Sequence, residues 1–120
     1  MVARLPTTDW RDEQWVLGFG LYVNTIVYAY LKLIGGCERA SELENLMHRF
    51  TVTGEAMHRH VHEGLTVRKK PCYAMYSYKQ FSSERFDLLD NSLAILTGIA
   101  SRFRAEATLA WIERECRAMR

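Results

Sequence analysis

The sequence predicts an all-α fold: a bundle of three or four helices with a long, heptad-patterned C-terminal helix, in one domain over residues 1–120. Three observations carry that expectation. Apolar residues recur at spacings of three and four along three long stretches, the only two prolines (Pro6 and Pro71) fall outside them, and glycines or capping residues stand at their ends. At 120 residues the chain is long enough to bury one core without disulfides or a structural metal.

The first expected helix runs from about Asp12 to Ile34, with Thr8 or Asp9 as caps and Gly35-Gly36 as the stop. Val16, Phe19, Val23, Ile26, Val27, Tyr30 and Ile34 form one face of it. Leu17, Leu21, Tyr28 and Leu31 form a second face beside the first. A helix apolar most of the way round is central in its domain or covered by a partner. Its length of about twenty residues also matches a bilayer core. Gly18, Gly20, Asn24, Lys32 and aromatics spread through the segment, rather than gathered at its ends, argue against a membrane span.

The second helix is expected from Ser41, where Ser41-Glu-Leu-Glu44 reads as a capping box. Leu43, Met47, Phe50, Gly54, Met57 and Val61 then give an inward stripe that stops near Gly64. From Leu65 to Phe81 helical periodicity disappears, which predicts an ordered loop with room for a short hairpin. The third helix starts at Ser82 or Ser83 and carries Phe86, Leu89, Leu93, Leu96, Ala100, Phe103, Ala107, Ala110 and Arg114 as a seam. A partial second stripe runs along Leu88, Ile95, Ile99, Leu109 and Cys116. Unbroken to Met119 it would be roughly 55 Å long, against roughly 35 Å for the others. Either Gly98 breaks it, or a second chain covers the overhang.

A net charge of +2 excludes a polycation acting through its whole surface. Twelve arginines against four lysines point toward a GC-rich bacterial genome. Cys37, Cys72 and Cys116 are odd in number and far apart, which fits a reducing cytoplasm rather than a disulfide framework or zinc ribbon. The first fourteen residues lack the charged start and apolar run of a secretory signal.

Glu55, His58 and His62 share a helical face and suggest a transition-metal site. A di-iron site would need a second Glu-x-x-His on a facing helix, and the only histidine outside the cluster His58, His60 and His62 is His48, on the same expected helix. Solvated histidines near a helix end are the simpler reading. Arg68, Lys69 and Lys70, followed by Tyr73, Tyr76 and Tyr78, combine cations with stacking surfaces, as a single-stranded nucleic acid site would. Tyrosines capping the bundle explain that loop more simply. No nucleophile motif, phosphate loop or cofactor fingerprint occurs, so neither catalysis nor a cofactor is expected.

What remains is an apolar surplus, placed on Leu17, Leu21, Tyr28 and Leu31 of the first helix and on Phe103, Trp111 and Ile112 of the last. It predicts a small, non-enzymatic, cytoplasmic interaction module. Its expected partner is a larger regulatory protein whose surface it occludes, as an anti-activator does, and a homodimer would cover the same surface. Nucleic-acid binding by residues 68–78 and metal binding by Glu55, His58 and His62 are the alternatives.

Overall fold

The computed structural model describes residues 1, 3–4, 18–49, 64–67, 70–78, 81–83 and 85–119. Helices hold most of them: α1 (Leu21–Leu33), α2 (Cys37–Met47), α3 (Leu88–Leu96) and α4 (Arg102–Ala118). Four short strands, β1 (Ala3–Arg4), β2 (Gly18–Gly20), β3 (Tyr76–Tyr78) and β4 (Phe81–Ser83), form an antiparallel sheet in that order. The fold is therefore mainly helical, with a sheet in place of a plain bundle. The β3–β4 hairpin stands where the sequence left room for one.

The first helix is shorter than its periodicity suggested. Gly18–Gly20 is strand, pairing Phe19 with Ser77 and Gly20 with Tyr76, and α1 begins at Leu21; residues 12–17 of the expected helix lie outside the described residues. The Leu21 amide donates to Met75 O at 2.9 Å, tying the start of α1 to the sheet. Its end is the predicted one. Gly35 sits at φ +77°, its amide donates to Lys32 O and that of Gly36 to Leu31 O, so glycine supplies the left-handed residue a Schellman stop requires.

The capping box at Ser41 is not used as a start. α2 begins four residues earlier, at Cys37 after Gly36, and Ser41 lies inside it. The reason is tertiary: Ala40, Leu43 and Met47 form one buried face at spacings of three and four, and only the earlier start makes Ala40 helical.

The long third helix is broken at Gly98, which has φ +78°. The Gly98 amide donates to Ile95 O and that of Ala100 to Ala94 O, ending α3 ahead of α4. Both new starts carry side-chain caps, Asp87 accepting from the Asp90 amide and Ser101 from the Arg104 amide.

α1 packs against both α2 and α3. The core joins Leu21, Tyr28, Ala40, Leu43, Met47, Leu65, Tyr73, Ala94, Ile99 and Ala100, with Val27, Leu31 and Ile95 partly buried against it. Leu21 and Tyr28, assigned above to a free face, are therefore core residues, and Leu31 is half-covered by the same cluster. The two faces of α1 have exchanged roles. Ile26, Tyr30 and Ile34, expected inside, are exposed, while the buried face carries Asn24 and Thr25 between Leu21 and Tyr28.

α3 shows the same inversion, burying Asp90, Asn91 and Ala94 while Leu88, Leu89 and Leu96 face outward. Local hydrogen bonds lower the cost of this polar burial. Asn24 Nδ2 donates to Gly20 O at 2.8 Å, and Asn91 Oδ1 accepts from the Tyr73 amide at 2.8 Å. No helix among the described residues is long and apolar enough to cross a membrane.

Candidate docking surface

The distal helix α4 is the least covered element. Of its seventeen residues Thr108 alone is buried, Trp111 and Ile112 are half-buried, and Phe103 and Leu109 are exposed. It shares no extended face with another described helix. Arg104 holds its first turn: Nη1 donates to Pro71 O at 2.7 Å, and the guanidinium lies 4.9 Å above the Tyr73 ring centroid. Farther along, Trp111 meets Phe86 edge-on with centroids 5.0 Å apart.

Tyr73 is the hub on which these segments meet. Its amide is held by Asn91, and its ring lies nearly parallel to that of His48. His48 Nε2 is 2.8 Å from both the Tyr73 hydroxyl and the Ile99 carbonyl. A carbonyl only accepts, so Nε2 carries the proton here, shared between the two oxygens. The hydroxyl in turn donates to Ile99 O at 3.4 Å. Burial, opposed by the Arg104 charge and reinforced by Glu44 and Tyr28, pushes the Tyr73 phenol up to about 12. It stays neutral at ordinary pH and serves as a structural post.

Beside this post lies an open pocket of about 150 Å³ lined by Val67, Lys70, Pro71, Ser101, Phe103, Arg104 and Ala107. It brings together Lys70 and Phe103, which the sequence had assigned to two different surfaces.

Tyr73 is only 2% exposed, so it offers no stacking face to a nucleic acid; Tyr76 is half-buried in β3. Leu17, Arg68, Lys69, Glu55, His58 and His62 lie outside the described residues, as does the Tyr78 side chain. Among the described residues no group of three histidine, cysteine or acidic side chains is placed to hold a metal ion.

The large apolar side chains exposed among the described residues all belong to α1, α3, α4 or their C-caps: Ile26, Tyr30, Leu33 and Ile34; Leu88, Leu89 and Leu96; Phe103, Leu109 and Met119. Periodicity missed most of them because it placed them inside. The one signal available was that α1 is apolar most of the way round, which leaves its inward face undetermined. No protein-family model, curated protein or solved structure matches the chain.

Proposed function

We propose that this chain is a small, non-enzymatic protein-interaction module, a bacterial regulator that seats a larger protein on its outer helix faces and occludes the surface it binds, as an anti-activator does. The observation that carries this is the inversion of α1 and α3. Both helices bury polar side chains and present leucine, isoleucine and tyrosine outward, and α4 adds Phe103 and Leu109. Scattered exposed apolar residues are ordinary, but their concentration on three helices, with polar groups buried in exchange, favours a surface that is covered during function. The burial of Tyr73 withdraws one of the three rings, Tyr73, Tyr76 and Tyr78, on which the nucleic-acid alternative draws.

Photo-crosslinking tests this reading. A photoreactive phenylalanine replaces Tyr30 or Leu109, with exposed Glu42 on α2 as the control position. Irradiation in cells of the native organism is expected to yield the same discrete adduct from both helices and none from position 42. Equal labelling from position 42, or no adduct, overturns the reading. An adduct with a second copy of the chain alone overturns its hetero-binding part.

A further inference from the structure

α4 is held at its start and left uncovered toward its end. Arg104 binds Pro71 O, Thr108 is buried, and Trp111 and Ile112 are half-buried, whereas residues 113–119 are all exposed. Along one side of the helix run Leu109, Ile112, Cys116 and Met119, spaced three, four and three apart. Two successive a/d pairs at that spacing are the seam of a coiled coil. Leu109, Cys116 and Met119 are exposed and Ile112 is half-buried, so most of this seam stands open.

Charge marks its edges. At the helical rotation per residue, Glu113 and Glu115 stand roughly 80° to either side of the seam, in the flanking positions through which coiled coils choose partners. Arg114 lies on the opposite side of the helix. Arg117 lies farther round than Glu113, with its Nη2 3.5 Å from Glu113 Oε2, in an exposed pair of the kind that contributes little. A carboxylate accepts from several donors, so this pair leaves Glu113 able to meet a second cation. Both glutamates are near the negative end of the helix dipole, which favours an approaching cation further. Arg120, beyond the last seam residue, lies outside the described residues.

We infer that the distal half of α4 pairs with an amphipathic helix of the protein partner, one whose apolar a/d stripe is flanked by lysine or arginine. The inference rests on the interaction reading above and adds the partner's element and its charge. Charge complementarity selects the occupant: its apolar stripe covers Leu109, Cys116 and Met119 while cations on its two edges meet Glu113 and Glu115. An antiparallel second copy of α4 on the same seam would set glutamate flank against glutamate flank.

A pair of synthetic three-heptad peptides tests this on the full chain labelled with ¹⁵N. Both carry leucine at a and d; one has lysine at every e and g position, the other glutamate. The lysine peptide is expected to shift the amides of residues 109–119 and to bind about tenfold more tightly than its glutamate twin at low salt, the difference shrinking as salt is added. Glu113→Lys combined with Glu115→Lys should reverse the preference, and Cys116→Asp should weaken both peptides; all three positions are exposed, so helical circular dichroism should stay unchanged. Equal binding of the two peptides, shifts confined to other segments, or a preference that survives the double substitution overturns the inference. So does self-association of the native chain that Cys116→Asp abolishes, which would give the seam to a second copy. If the peptides show no preference while crosslinking from Tyr30 and Leu109 persists, the basic-flanked helix falls and the docking surface stands; loss of the crosslinks defeats the docking surface itself.

Discussion

Tyr73 links α2, α3, the turn at Ile99 and α4 through one side chain and one amide, so its protonation is coupled to folding. Burial raises its phenol from 10.0 to about 12, which means the folded state holds the proton more tightly than the unfolded chain. The stabilisation is complete below about pH 10 and is lost as pH rises through about 12; a two-unit shift corresponds to about 2–3 kcal/mol. Tyr28 is raised as well, by burial and by Glu44, and adds a contribution of the same sign. Stability measured by urea denaturation should therefore fall more steeply between about pH 9 and about pH 12 in the native chain than in Tyr73→Phe. Parallel profiles would show that the phenol is not coupled to folding. Leu21, fully buried between sheet and helices, makes a separate point. Leu21→Ala should cost about 2–5 kcal/mol in the same assay, the value for a core cavity, whereas a residue on a free face would cost little.

The elements owe their ends to glycines and caps, and those are the parts most legible in the sequence. Gly35 stops α1 and Gly98 separates α3 from α4, each with the positive φ for which glycine is suited. Nothing lies within 4 Å of a Cβ built on Gly98, so a substitution there meets backbone strain without steric collision. Gly98→Ala should lower stability by about 1–2 kcal/mol, and Gly98→Asn by less, because asparagine tolerates the left-handed region. Equal losses would point to a side-chain clash in place of the dihedral. The starts were harder to read. Ser41 has the residue types of a capping box, yet the buried face of Ala40, Leu43 and Met47 sets the beginning of α2 at Cys37. Likewise Phe19 fits a helical stripe, but pairing with Ser77, fifty-eight positions away, draws it into a strand. Spacing within a segment carries no trace of either contact.

Across the whole molecule, the outward apolar residues of α1, α3 and α4 should contribute to association and little to stability. Tyr30→Asp and Leu109→Asp are each expected to remain within about 0.5 kcal/mol of the native chain in denaturation while losing the crosslinked adduct. Unfolding by either substitution would mean that these faces are part of the core. The sequence by itself determined that the described chain is mainly helical and where α1 stops, because those features follow from local backbone preference; it offered Gly98 as a break in the C-terminal helical region but left an unbroken helix as the alternative. It also marked an apolar surplus. Only the tertiary structure decided which faces carry it. A helix apolar most of the way round can bury either side, and tertiary packing makes the choice: Leu21 and Tyr28 join the core, while Gly20 O accepts from Asn24 and the Tyr73 amide donates to Asn91. The pocket that joins Lys70 to Phe103 was likewise beyond the reach of periodicity, since it exists only where Val67, Lys70 and Pro71 meet the first turns of α4.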